Sequence, residues 1–175
     1  MKSKFAATLT APAGSISFLE KPTHRAMEIH GTVRDILQNK GGEVWTTSPE
    51  TTVYDAIGLM GEKNIGALVA VDGGEVIGVL SERDYSRKVV LQNRTSRDTL
   101  VGDILSRPAI TVGCGDSIET CMQLMTSRRI RHLPVVEDGA LIGLVSMGDL
   151  VNWVMQSQRH TIQQLQGYIS GEYPG

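Results

Sequence analysis

Apolar residues recur along the chain in two rhythms, and the pair of rhythms occurs twice. Val53, Ala56, Ile57 and Met60 stand at i, i+3, i+4 and i+7, as do Ile118, Cys121, Met122 and Met125, so each set lays one apolar stripe along a helix. After each stripe come two short aliphatic runs, ALVAV and EVIGVL the first time, HLPVV and LIGLVS the second, joined by DGGE and EDGA. Such runs around Gly-Gly or Asp-Gly predict β-hairpins, because glycine accepts the positive φ that two-residue turns demand. A further helix is expected after each hairpin, from about Glu82 to Leu91 and from about Gly148 to Met155, and a short strand before each stripe, near Val44–Thr46 and Ile110–Val112. Capping-type spacing in Thr52/Asp55 and Asp116/Glu119 marks the two helix starts.

The two patterns are copies of one unit. Shifted by 65 positions, residues 53–85 fall on 118–150 without a gap, and ten of the 33 pairs are identical, among them Gly78/Gly143, Ser81/Ser146 and Asp84/Asp149. Upstream, VRDIL at 33–37 echoes VGDIL at 101–105 at an offset of 68, which leaves three residues of slack in the loop between. The chain therefore reads as an α/β (α+β) protein of two tandem β-α-β-β-α modules related as a pseudo-two-fold pair. The expected division is a weakly structured leader at 1–30, a first module at 31–91, a linker at 92–100, a second module at 101–155, and a helical tail at 156–175 that packs on a partner surface.

Composition narrows the function classes. A chain of 175 residues with 41% apolar content can bury a core without staples, and 17 basic against 19 acidic residues leave a net charge of −2. That balance argues against a protein whose main task is gripping nucleic acid through its phosphates. No stretch approaches the roughly 18 uninterrupted apolar residues of a membrane span, and Met1–Phe18 lacks the apolar core of a signal peptide. Two cysteines, Cys114 and Cys121, make no disulfide framework and suit a reducing compartment, read as the cytoplasm. No metal-ligand spacing, P-loop, G-x-G-x-x-G or nucleophile–base–orienter set occurs, so the expectation is a protein that is not an enzyme and requires no metal.

The chemistry that remains lies at the ends of the two hairpins. Each closes in Gly, two aliphatics, Ser, two variable residues and Asp: Gly78 to Asp84, and Gly143 to Asp149. Ser-x-x-Asp is close to a capping box, and as such needs no further role. The same pair at a helix mouth, beside unpaired N–H groups, also suits a ribose or phosphate, since a carboxylate accepts two hydrogen bonds from a vicinal diol. Both roles can coexist.

Two tandem β-α-β-β-α copies, each closing with G-h-h-S-x-x-D, resemble a pair of cystathionine β-synthase (CBS) domains over about residues 33–155, of the stand-alone bacterial and plant-organelle type. The resemblance implies a regulatory pair that binds an adenosine compound between its copies: AMP first, with NAD(H), ADP, ATP or S-adenosylmethionine as alternatives. By position, Asp84 and Asp149 would hold ribose hydroxyls at two pseudo-symmetric sites, and Ser81 and Ser146 would contact ribose or phosphate. Residues around Thr46–Ser48, with Thr46 and Ser48 at its ends, and Thr111 would meet the adenine. Arg131 and His132 stand where the first copy has Gly66 and Ala67, and Arg83 stands where the second has Gly148, so the two sites should differ in positive charge. For Arg128 and Arg129 a solvated helix end is the plain explanation. The resemblance also implies a homodimer, an unidentified protein target, and neither nucleic-acid nor membrane binding. The competing class is a structural or interaction module in which both motifs are caps and nucleotides have no effect.

Overall fold

The computed structural model describes residues 29–170. Most of the expected leader and the last five residues lie outside them. Helix α1 (Val33–Lys40) opens on a capping box, the N–H and hydroxyl of Thr32 donating to Asp35 Oδ2 at 2.7 and 2.9 Å. Strand β1 (Thr46–Thr47) leads to α2 (Val53–Lys63), where the Thr52 hydroxyl accepts from the Asp55 N–H. The hairpin β2 (Ala67–Asp72) and β3 (Glu75–Ser81) runs into α3 (Glu82–Lys88), which tightens into a 3₁₀ turn at Val90–Gln92. The second copy comprises α4 (Val101–Ile104), α5 (Ile118–Arg128), the hairpin β4 (His132–Glu137) and β5 (Ala140–Ser146), and α6 (Met147–Ser170).

The repeat holds down to backbone detail. Both hairpin turns carry two successive positive φ values, 55° and 90° at Gly73-Gly74 and 51° and 80° at Asp138-Gly139, as a turn matched to the strand twist requires. Both ladders shift register at the same place, between Ala70 and Val71 and between Val135 and Val136. Asn64 and Arg129 end α2 and α5 in the same left-handed conformation.

Three expectations are corrected. The strand near Ile110–Val112 shrinks to one parallel bridge, Val112 to Val135. The cause is Pro134. In the first copy the Trp45 carbonyl accepts from the Val69 N–H, but the corresponding donor to Ile110 would be Pro134, which has no N–H. The cap of α5 is Ser117, whose hydroxyl accepts from the Thr120 N–H at 3.1 Å, while Asp116 closes the preceding turn by accepting from the Gly113 N–H at 2.7 Å. The last helix does not break near Met155, because no glycine or proline interrupts Leu150–Gln166. At 1.5 Å per residue its 24 residues span about 36 Å.

Packing units differ from sequence units. The core of the second copy is built on Ile118, Cys121, Met125, Leu133, Val145 and Leu150, and it takes in Val33 and Ile36 of α1. The core of the first, with Val53, Met60, Leu68 and Leu80, takes in Val101 and Ile104 of α4. Each leading helix thus packs in the opposite copy. The stretch expected as a linker is pinned rather than loose, the Val53 N–H donating to Thr99 O at 2.9 Å and the Val101 N–H to Thr51 O at 2.9 Å. With β3 against β4 and β5, the two hairpins meet along one seam.

Candidate functional site

At the β3–α3 junction Ser81 is extended (φ −122°, ψ 160°), which turns its N–H and hydroxyl onto Asp84 Oδ2 at 3.1 and 2.6 Å. In return the Asp84 N–H donates to Ser81 Oγ at 3.3 Å, completing the capping box. The second carboxylate oxygen is also taken. Oδ1 accepts from Ser106 Oγ at 3.1 Å and from Lys88 Nζ at 2.9 Å, and the same ammonium donates to Ile104 O at 2.6 Å. Burial pushes the Asp84 carboxyl up, but hydrogen bonds from Ser81, Lys88 and Ser106 and the Lys88 charge outweigh it and hold it below the usual carboxylate range.

The β5–α6 junction repeats the box with a different cation. Ser146 N–H and Oγ donate to Asp149 Oδ2 at 2.8 and 2.7 Å, and Lys40, reaching over from α1, donates to the same oxygen at 2.7 Å and to Leu144 O at 3.1 Å. Among the described residues Asp149 Oδ1 has no donor. Here too burial raises the carboxyl while Lys40 and Ser146 lower it further, and the net shift is down. Half-buried His132, opposite Ser146 in the ladder, feels both carboxylates. Burial, Lys40 and Arg131 depress its pKa more than Asp149 and Asp84 raise it, so it stays neutral at pH 7.

Between the copies lies a cleft of about 760 Å³, walled by Ser81–Lys88 of the first copy and, from the second, by Ser106–Ile110 in the loop after α4 and by Arg128–His132. Of the residues expected from sequence, Ser81, Arg83, Asp84, Arg131 and His132 line it. Thr46 and Ser48 do not. They border a separate depression of about 460 Å³ between β1 and α2, where the Ser48 hydroxyl is engaged by Glu50. Thr111 is exposed and lines neither, although its neighbours Ala109 and Ile110 reach the cleft. Ser146 and Asp149 form the other mouth, outside this lining. Sequence reasoning missed Lys88, Ser106, Arg87, Arg107 and Lys40. Arg128 and Arg129 are exposed at the end of α5, as a solvated helix end requires, and that end also borders the cleft. Lys88 was readable, being four residues after Asp84 on one helix. Ser106, Arg107 and Lys40 were not, because they fall where the two copies differ in loop length.

Other chemistry is sparse. Cys114 and Cys121 are buried, and burial together with the Asp116 charge pushes the Cys121 thiol up to about 11, so it is a packing residue rather than a nucleophile. Among the described residues no group of three or more His, Cys, Asp or Glu is placed to hold a metal, and no helix is long and apolar enough to cross a membrane.

Two copies of one unit that exchange their leading helices and enclose a cleft at their seam define a tandem-repeat module. The family model of the CBS domain matches residues 32–90 and 101–156, and the chain belongs to that family as a tandem pair. It is 43% identical over 152 residues to the mitochondrial CBS domain-containing protein CBSX3 of Arabidopsis thaliana, covering 81% of this chain and 73% of that one. A solved structure of a protein with CBS domains from Burkholderia ambifaria MC40-6 is 49% identical, with a TM-score of 0.71 over 73% of this chain and 96% of that one. A hexameric CBS-CP12 protein from bloom-forming cyanobacteria is 27% identical, with a TM-score of 0.63 over 70% of each chain. Proteins of this family are regulatory modules, often nucleotide-binding.

Proposed function

We propose that the chain is a regulatory sensor that binds an adenine nucleotide in the cleft between its two CBS copies and signals occupancy to a protein partner, without chemistry of its own. The observation that carries this reading is the cleft itself, about 760 Å³ and shared by both copies, with the Ser81–Asp84 pair on one wall and Arg131 and His132 on the other. Ribose hydroxyls suit Asp84, and phosphate suits the arginines, whose planar donors match its oxygens. Because the ligand touches both copies at once, it favours whichever relative arrangement gives it more contacts, and only that difference in affinity moves the equilibrium.

A second reading has an observation of its own. Asp84 already receives four donors within the chain, which is what a purely structural cap would show. Under that reading nucleotides leave the fold untouched.

Thermal unfolding of the full chain separates the two. A ligand at 100 times its dissociation constant adds about 2.7 kcal/mol to the folded state, so one or more of AMP, ADP, ATP, NAD⁺, NADH and S-adenosylmethionine raises the transition by several degrees. No shift from any of them at millimolar concentration favours the structural module.

The assembly we propose is a homodimer, the commonest closed arrangement of like chains. Two buried free thiols suit a reducing compartment, the environment we propose. The cytoplasm fits it, while the plant relative CBSX3 is a mitochondrial protein.

A further inference from the structure

The charge on the cleft is out of proportion to the charge on the chain. The whole protein carries −2, yet the cleft lining holds six arginines and Lys88 against only Glu82 and Asp84. Lys88 is neutralised by Asp84, but among the described residues none of the six arginines makes an ion pair. Arg83 shows how they are left, donating weakly to the Arg129 carbonyl at 3.5 Å, a contact that brings guanidinium-bearing residues of the two opposite walls together across the cleft. Like charges gathered around a concavity repel one another, and a multivalent anion relieves that repulsion.

The repeat supplies an internal control, because the other copy has the same fold at the same positions. At the Asp149 mouth the counterparts of Arg83, Arg87 and Lys88 are Gly148, Asn152 and Trp153. The counterparts of Arg128, Arg129 and Arg131 are Lys63, Asn64 and Gly66, and Lys63 is spent, 2.7 Å from Glu62 and 4.4 Å over the Trp45 ring. The cation that does reach Asp149, Lys40, is bound to the carboxylate itself. Backbone geometry is common to both mouths, so the difference in charge is a property of the side chains at one of them alone.

We infer that the cleft is a single, one-sided site for a polyphosphate chain, so that the ligand is a nucleoside di- or triphosphate bound once per protein rather than a monophosphate bound at two equivalent mouths. The inference rests on the adenine-nucleotide reading above for the nucleoside and adds the phosphate number and the site. A monophosphate at −2 leaves most of the cleft charge unmatched, whereas a triphosphate at about −4 engages guanidinium groups on both walls. Lys88 is then a displaceable counter-ion, releasing Asp84 Oδ1 toward a ribose hydroxyl as it turns to phosphate.

Titration calorimetry of the full chain with adenosine, AMP, ADP, ATP and inorganic tripolyphosphate, in buffer without divalent metal, tests this. The expected result is one molecule bound per chain, with affinity rising by about tenfold for each added phosphate, the worth of one charge-assisted contact. The preference of ATP over AMP should collapse in the Arg129→Ala/Arg131→Ala variant and persist in Asp149→Ala, with circular dichroism confirming that both fold. AMP binding as tightly as ATP, or two equal sites per chain, overturns the inference and leaves the adenine reading standing. Tripolyphosphate binding as tightly as ATP supports the anion site and removes the adenine reading. No binding by any compound removes both.

Discussion

Asp84 and Asp149 are one residue type in one motif, yet their settings differ, and the difference is measurable. Both carboxyls are held below the usual range, so each contributes stability that is present above the unfolded value near pH 3.9 and is lost as pH falls through the lower folded value. Unfolding at fixed urea should therefore begin below about pH 4, and Ser81→Ala, which removes the N-cap of α3, should cost about 0.5–2 kcal/mol at pH 7. His132 adds a second slope, at higher pH. Its folded pKa is depressed by burial, Lys40 and Arg131, so the unfolded chain binds more protons near pH 6 and stability falls as pH drops below about 6.5. A His132→Gln variant should show a flatter profile between pH 7 and 5 by urea unfolding. An unchanged slope would assign the acid sensitivity elsewhere.

Elements carry the fold in pairs that the chain order hides. The repeat, the stripes of α2 and α5, both hairpins and the two Ser-x-x-Asp boxes were legible because each depends on spacing within a few residues. Pro134 was also visible, but its effect needs the register, which places its missing N–H opposite the Ile110 carbonyl. The exchange of α1 and α4 was not legible, since VRDIL and VGDIL satisfy either core equally well and only the path of the chain chooses. The exchange makes a sharp prediction. Ile104 is almost fully buried in the first core although it begins the second sequence unit, so Ile104→Ala should destabilise the chain by about 2–5 kcal/mol in urea unfolding. A loss under 1 kcal/mol would contradict the packing. Gly31 tests the join between the residues just before α1 and α6. Its φ of +122° and a Cβ position 2.6 Å from Trp153 Nε1 leave no room for alanine, so Gly31→Ala should cost about 1–3 kcal/mol. The indole is anchored there by its hydrogen bond to His30 O at 3.0 Å.

At the scale of the whole molecule the candidate site belongs to neither copy. Its carboxylate comes from the first, and its closing arginines, with Ser106 and Arg107 of the loop after α4, from the second, which is why half of it escaped sequence reasoning. Local motifs announce caps and turns, whereas a cleft at a seam is assembled by the pairing of modules. Regulation follows naturally from that placement, because a ligand that bridges two packing units couples its own binding to their arrangement. Hydrogen exchange of backbone amides in the full chain, with and without saturating ATP, reads that coupling most directly. The account predicts added protection concentrated in Ser81–Lys88, Ser106–Ile110 and Arg128–His132, the three walls of the cleft. Protection confined to the depression around Thr46–Asp55, or none at all, would contradict it.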